Sequence, residues 1–164
     1  MNVSLVSITQ PFFNLDSAED IIAYCARVSN PENQKNVETA PRLLKFLIKH
    51  GHWSPFEMVD MTVEIKTSRA IAAQILRHRS FSFQEFSQRY SEAQSLEKLE
   101  LRKQADKNRQ SSSEAFQDSQ LHAKVREHLA KSLSLYKNLI SKGAAKESAR
   151  MILPLTTETT MYMK

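Results

Sequence analysis

Between residues 58 and 66 the chain alternates apolar and polar side chains, and this alternation narrows the choice of fold more than any other segment. One face of the extended segment carries Val59, Met61, Val63 and Ile65, and the other face is polar. A strand with one apolar face is typical of an antiparallel sheet, because parallel strands are usually covered on both faces. The segment therefore predicts an antiparallel sheet with helices packed on it.

Further strands and helices are predicted on both sides of this segment. Strand patterns occur at 3–8 and 155–164. Apolar residues at helical spacing predict helices over 18–28, 40–50, 69–77, 113–142 and 144–153. Asp16 or Ser17 is predicted to cap the first of them, and Thr39 the second. Residues 94–113 are polar and are predicted to form a mobile loop or a weak helix. The patterns predict one α+β domain over 1–164: a mostly antiparallel sheet flanked by helices, one of them long enough for subunit contact.

Only two glycines occur, Gly51 and Gly143, and their scarcity excludes whole classes of nucleotide site. The glycine-rich loop of dinucleotide-binding folds and the phosphate loop of nucleotide hydrolases each need several glycines at fixed spacing. The net charge of +5 nevertheless suits a phosphate-bearing partner. Phosphates bound by this chain must therefore be held by side chains or by helix ends.

Cys25 is the only cysteine, which excludes an internal disulfide, a cysteine zinc cluster and a thiol relay. A lone thiol agrees with a reducing compartment, and no basic segment followed by an apolar one opens the chain. The longest unbroken apolar run, 21–26, is far shorter than the ~20 residues that span a bilayer. We therefore predict a cytoplasmic protein without membrane contact.

Residues 77–90, with the sequence RHRSFSFQEFSQRY, concentrate the polar chemistry of the chain. Guanidinium groups bind phosphate through two parallel hydrogen bonds, and aromatic side chains can stack on a flat ring. Glu85 can fix an arginine or accept a hydrogen bond from a ribose hydroxyl. Three interpretations stay open on the residues alone: a helix end with solvated charges and core aromatics, a surface for single-stranded nucleic acid, or a site for an anionic, aromatic ligand.

Four separated segments resemble, in order and spacing, those of the flavin-dependent thymidylate synthases. They are ARVS at 26–29, HGHWSPFE at 50–57, RHR followed after seven residues by SQRY within 77–90, and ARMILP at 149–154. Four matches in the right order are hard to obtain by chance. The resemblance therefore covers almost the whole chain and is specific.

The resemblance implies an enzyme that methylates carbon 5 of the uracil ring of deoxyuridylate (dUMP) to give dTMP. Methylenetetrahydrofolate supplies the carbon, reduced FAD supplies the hydride, and NADPH reduces the flavin. Enzymes of this family need no cysteine nucleophile. They are homotetramers whose active sites are shared between subunits, so the resemblance also predicts other copies of this chain as partners.

The resemblance also implies roles for individual residues. The residues expected to bind FAD are Ser29, His52, Ser54, Arg77, His78, Arg79 and Glu85. The residues expected to bind dUMP are Gln74, Arg77, Glu85, Ser87, Gln88, Arg89 and Arg150. Arg77, Glu85 and Ser87 are expected at the reacting groups, with Ser87 in binding and orientation, because an unactivated serine needs an adjacent base to act as a nucleophile. Catalysis would then rest on positioning and on electrostatic stabilisation.

No metal site is predicted. His50 and His52 could share a metal ion, but no acidic or thiol partner joins them at helical spacing. Hydrogen bonding near the flavin is the preferred interpretation of His52. Cys25 lies in an apolar segment without a basic neighbour and is predicted to be a core residue. His122 and His128 are predicted to lie at the surface.

Sequences of the resembling family normally continue past the position of Lys164. Their next segment carries an asparagine-rich stretch, an arginine and a histidine, which complete the FAD site and activate the uracil. Its absence predicts a C-terminally incomplete domain with exposed apolar surface. A remnant that binds FAD and dUMP without turnover is therefore one alternative. A nucleic-acid-binding module is the other, although the basic residues outside 77–90 are scattered and matched by acids.

Overall fold

The structure is a computed structural model that describes residues 1–164. Its strands are β1 (Asn2–Ile8), β2 (Met61–Ser68), β3 (Phe83–Glu85), β4 (Arg102–Gln104), β5 (Ser112–Ala115) and β6 (Glu158–Met163). Its helices are α1 (Ala18–Ala26), α2 (Ala40–Lys49), α3 (Arg69–Ile75), α4 (Ser119–Ser141) and α5 (Lys146–Ala149). Three short 3₁₀ turns cover Pro31–Asn33, Ser54–Met58 and Arg150–Ile152.

Four strands form the main sheet in the order β1-β2-β6-β3. The Thr9 N–H donates to the Asp60 carbonyl at 2.9 Å, so the end of β1 lies beside the start of β2. The Arg69 N–H donates to the Thr157 carbonyl, also at 2.9 Å, so the end of β2 lies beside the start of β6. Both pairs are therefore antiparallel, which confirms the predicted α+β class.

The chain divides into two compact units, which are described separately below. The N-terminal unit comprises Val3–Glu64 and Tyr162–Lys164, and the C-terminal unit comprises Ile65–Met161 and Met1–Asn2. None of the helices in either unit combines the length and the apolar character that crossing a bilayer requires.

In the N-terminal unit, α1 starts at the predicted serine cap. The Ser17 hydroxyl accepts a hydrogen bond from the Asp20 N–H at 3.2 Å and donates to the Asp20 carboxylate at 2.8 Å. The exchange satisfies one of the N–H groups that the first helical turn leaves without a partner. Ile22 and Ala23 are buried on this helix, and α1 packs on α2, in which Ala40 and Leu47 are buried.

Arg27 follows α1 and ties it to the start of α2. Its side chain is only 8% exposed and donates to the Asn36 carbonyl and to the Thr39 hydroxyl, the latter at 2.7 Å. A buried charge needs such partners, because desolvation without them is costly. Thr39 is the N-cap residue of α2, as predicted, but its hydroxyl binds the Arg27 guanidinium and makes no capping hydrogen bond.

In the C-terminal unit, the long helix α4 is anchored by a fully buried tyrosine. Tyr136 packs with Ala93 and Ala149, and its hydroxyl accepts a hydrogen bond from the Ala93 N–H at 3.2 Å. Partly buried apolar residues surround this cluster: Leu133, Leu139, Ile140 and Leu153. The contact joins α4 to the loop that follows β3, which carries several predicted site residues.

Residues 94–113 differ most from their prediction. Part of this segment forms neither a loop nor a helix: β4 pairs with β5 in an exposed antiparallel hairpin. The long helix begins at Ser119 rather than Ser113, where the Asp118 carboxylate accepts from the Leu121 N–H at 2.8 Å. Phe116, which fits the apolar stripe of a helix, instead donates its N–H to the Leu101 carbonyl. The pairing of β4 with β5 thus overrides the helical pattern at Phe116.

Smaller differences concern the ends of elements. α1 ends at Ala26 instead of residue 28, and α3 ends at Ile75 instead of residue 77. β2 begins at Met61 instead of residue 58, because Pro55 favours the 3₁₀ turn that precedes it. The helix predicted over 144–153 is α5 followed by a 3₁₀ turn. The three-residue strand β3 is too short to show a period of two and was not predicted.

Candidate functional site

A turn after α3 presents three neighbouring cationic or potentially cationic side chains to solvent. Arg77, His78 and Arg79 are all exposed, and none of their side chains makes a hydrogen bond or an ion pair within the chain. The backbone there is ordered, because the Arg77 N–H donates to the Gln74 carbonyl at 3.2 Å. Gln74, also exposed, therefore lies one helical turn from Arg77. Basic groups without counter-ions suit an anionic ligand.

Glu85, at the end of β3, is held by two donors. Its Oε1 accepts from Arg69 Nη1 at 2.8 Å and from the Thr159 hydroxyl at 2.9 Å. The Glu85 side chain is 18% exposed, and that of Arg69 is 33% exposed. The sequence suggested that Glu85 can bind an arginine, and the structure shows that this arginine is Arg69, which was not singled out. Arg69 could have been noticed because it is a cation in the first turn of α3, where the helix dipole disfavours positive charge, so a nearby carboxylate partner is expected.

A second group of charged residues forms where the loop after β3 meets α5. Arg89 Nη2 lies 3.2 Å from Glu147 Oε1, and Arg150 Nε donates to the Glu147 carbonyl at 3.3 Å. Lys146 Nζ donates to the Tyr90 carbonyl at 3.1 Å, which ties the same loop to α5. The structure thus brings the predicted residues Arg89 and Arg150 together through Glu147. Neither Glu147 nor Lys146 was singled out from the sequence.

Ser87 and Gln88 lie in the turn before Arg89. The Ser87 carbonyl accepts from the Ser91 N–H at 2.9 Å, while its exposed hydroxyl makes no hydrogen bond. No base contacts that hydroxyl, so nothing activates it as a nucleophile. Gln88 is 6% exposed, and its amide nitrogen is buried without a hydrogen-bond partner. An unsatisfied buried donor is rare in proteins and costs stability.

The other predicted residues, Ser29, His52 and Ser54, belong to the N-terminal unit. All three are exposed. The His52 ring lies 6.1 Å from the Phe46 ring and 6.3 Å from the His50 ring, measured between centroids. No group of three or more His, Cys, Asp or Glu side chains is arranged to hold a metal ion. Cys25 is half-buried, and His122 is half-buried with its Nε2 2.7 Å from the Phe116 carbonyl.

Two cavities of the C-terminal unit are lined by none of the predicted site residues. One of about 820 Å³ lies between residues 94–102 and α4, and one of about 420 Å³ lies beside the 92–97 segment. The predicted side chains of this unit instead lie on its open surface, except that Glu85 and Arg150 are half-buried and Gln88 is buried. Any ligand that they bind within a single chain would therefore stay partly open to solvent.

Comparison with known proteins decides the family. A flavin-dependent thymidylate synthase of Synechocystis sp. is 55% identical over 174 residues, covering 100% of this chain and 79% of that protein. A probable flavin-dependent thymidylate synthase of Paramecium bursaria Chlorella virus 1 is 52% identical, covering 99% and 78%. The family model described as thymidylate synthase complementing protein matches residues 12–164. The chain belongs to this family, the flavin-dependent thymidylate synthases. The resemblance and the prediction of an enzyme are thereby confirmed.

A solved structure agrees on the fold. The crystal structure of the UMP/dUMP methylase PolB from Streptomyces cacaoi, bound with 5-Br dUMP, superposes with a TM-score of 0.81 and 24% sequence identity. The match covers 99% of this chain and 71% of that one. The α+β arrangement described above is thus shared with a methylase, and the site residues stay predictions.

Proposed function

We propose that this member of the flavin-dependent thymidylate synthase family converts dUMP to dTMP, with methylenetetrahydrofolate as carbon donor and NADPH as the reductant of its flavin. The observation behind the proposal is that Arg89 and Arg150 both contact Glu147, which lies 58 positions from Arg89 in the chain. Two guanidinium groups that both contact Glu147 offer forked donors of the kind that a nucleotide phosphate requires.

The residues present also fit FAD. Arg77, His78 and Arg79 are exposed donors without counter-ions, which suits a pyrophosphate group that glycine loops cannot hold in this chain. Exposed aromatic groups such as Phe81 are available to pack against a flat ring system. Bound FAD supplies hydride chemistry, which no side chain of the protein offers.

The roles of the chain's own groups follow from this placement. Arg89, Arg150, Ser87 and Gln74 bind and orient the nucleotide. Arg77 stabilises negative charge that develops as the uracil ring is methylated, and Glu85 accepts a hydrogen bond where the flavin and the nucleotide meet. Gln88 reaches the nucleotide only if its turn shifts, because its amide is buried. Ser29, His52 and Ser54 are proposed to contact the flavin.

The proposed assembly is a homotetramer with shared active sites, formed by a chain that acts as one domain. This assembly is supported by the large apolar side chains that each unit leaves exposed. Phe12, Phe13 and Trp53 are 99%, 56% and 57% exposed in the N-terminal unit, and Tyr90, Met151 and Leu155 are 84%, 78% and 70% exposed in the C-terminal unit. Apolar surface of this kind marks sites of association. A reducing compartment such as the cytoplasm suits the single free thiol, Cys25.

The proposal is tested in two steps on the purified chain. First, FAD and dUMP are titrated separately by calorimetry, and both are expected to bind and to raise the melting temperature. Second, dTMP is measured after addition of methylenetetrahydrofolate and NADPH. Formation of dTMP supports the full reaction, whereas binding without dTMP identifies a remnant that only binds. A melting temperature unchanged by saturating FAD and dUMP contradicts the proposal.

A further inference from the structure

Arg69 occupies a fixed place between the sheet and α3. It is the first residue of α3, directly after β2, and its N–H donates to the Thr157 carbonyl of the segment entering β6. Its guanidinium then reaches across to Glu85 at the end of β3, with Nη1 2.8 Å from Oε1. Two regular elements therefore hold the ends of this ion pair, although 16 positions separate its residues in the chain.

The two carboxylate oxygens of Glu85 have different surroundings. Oε1 accepts both hydrogen bonds, from Arg69 and from the Thr159 hydroxyl, whereas Oε2 accepts none within the chain. Hydrogen bonds between charged groups are stronger and more directional than neutral ones. The arrangement therefore fixes the plane of the carboxylate by one oxygen and leaves the other as an oriented acceptor.

We propose that Arg69 is a positioning residue: it holds Glu85 so that Oε2 accepts a hydrogen bond from an N–H or O–H group of the bound nucleotide. The inference rests on the proposed function, because it takes Glu85 to face dUMP. Arg69 itself does not contact the ligand. Without it, the Thr159 hydroxyl alone would hold Glu85, and the carboxylate would sample several orientations before binding.

The test compares the parent enzyme with Arg69→Met, Arg69→Lys and a matched control. Lys103→Met is the control, because it also removes one positive charge and one ion pair, with Glu114 at 2.7 Å in the exposed hairpin. For each protein we measure dUMP binding by calorimetry, kcat and KM for dUMP, FAD binding and the melting temperature. Arg69→Gln replaces Arg69→Met should the latter fail to fold.

For Arg69→Met we expect kcat/KM for dUMP to fall about 10- to 100-fold, the range expected for the loss of one hydrogen bond to a charged group. FAD affinity is expected to fall less than dUMP affinity, because Arg77, His78 and Arg79 are also proposed to hold FAD. Arg69→Lys is expected to recover most of the loss because it keeps a cationic donor, and Lys103→Met is expected to match the parent.

Two results overturn the inference while leaving the proposed function intact. In one, the parent binds dUMP and Arg69→Met binds and reacts as the control does. In the other, Arg69→Lys loses as much activity as Arg69→Met, and the melting temperature falls in parallel for both, which identifies a purely structural role. A parent enzyme that binds no dUMP overturns the proposed function, and the positioning role falls with it.

Discussion

The guanidinium of Arg89 lies 3.2 Å from the carboxylate of Glu147, although 58 positions separate these residues in the chain. Their side chains are 62% and 59% exposed, so the ion pair adds little to the stability of the fold. In the proposed site, the pair holds Arg89 at α5, where its guanidinium is proposed to bind the phosphate of dUMP. A phosphate binds the same guanidinium fork that a carboxylate does.

Replacing Arg89 is expected to weaken dUMP binding with the fold intact. Arg89→Ala removes a charge-assisted hydrogen bond to the phosphate, worth roughly 1.5–3 kcal/mol, which corresponds to about a 10- to 100-fold loss of affinity. Calorimetric titration with dUMP measures the change. Lys131→Ala is the control, because it removes an exposed cation from its pair with Glu127. Equal affinities for Arg89→Ala and the parent would contradict the assignment.

Replacing Arg77 is expected to act on the flavin. Arg77→Ala leaves the fold unchanged, because the side chain is exposed and makes no contact that the chain depends on. Its FAD affinity should fall by about the same 10- to 100-fold, since Arg77 is proposed to donate to the pyrophosphate. Flavin absorbance during titration reports the affinity, and Lys124→Ala, in α4, controls for the lost charge. If Arg77→Ala binds FAD as tightly as the control does, the assignment of Arg77 to the FAD site is contradicted.

The Tyr136 hydroxyl provides a test of packing rather than of ligand binding. Tyr136→Phe leaves the buried Ala93 N–H without its acceptor, which is expected to cost about 1–3 kcal/mol of unfolding free energy. Urea unfolding measures the change. Tyr90→Phe removes a hydroxyl from a side chain that is 84% exposed and should have no effect. Similar stability of the two variants would show that water replaces the lost contact.

Acid is expected to weaken one contact of the C-terminal unit. The ammonium of Met1, 2.9 Å from Glu97, lowers the pKa of that carboxyl below its usual 4.5, with a smaller contribution from Ser68. The native state then binds fewer protons than the unfolded chain, so the stabilisation is complete above pH 4.5 and is lost as the pH falls through the lowered pKa.

Thermal unfolding between pH 7 and pH 3 checks this sign. Glu97→Gln should melt slightly below the parent at pH 7, and the two melting temperatures should converge as the pH falls. Glu38→Gln, which alters an exposed carboxylate without an ion pair, should follow the parent at every pH. A gap that widens towards acid pH would contradict the lowered pKa.

Local patterns predicted the periodic parts of the fold. The alternation in β2 depends on a period of two, and the Ser17 cap depends on a residue three positions away, so both can be found within a short window of sequence. The family could also be recognised from the sequence, because its segments are local motifs that occur in the family's order and spacing. These features required no knowledge of which distant residues meet.

The parts that could not be predicted depend on contacts that no local sequence pattern indicates. The β4–β5 hairpin has an exposed polar sequence, so neither strand shows an apolar face. Arg69 and Glu147 meet their site partners only after β3 and α5 have been placed in the fold. Gln88 is polar and was expected to face a ligand, yet the turn buries its amide. Three-dimensional packing, rather than residue type, decides these positions.

The contact between Tyr136 and Ala93 has a practical consequence for engineering. It joins α4 to the loop carrying Arg89 at a point outside the intervening hairpin. The hairpin tip, residues 106–110, is exposed at every position. Polar, exposed loop tips tolerate inserted chain, so a fluorescent reporter or an affinity peptide placed there should leave the proposed site undisturbed.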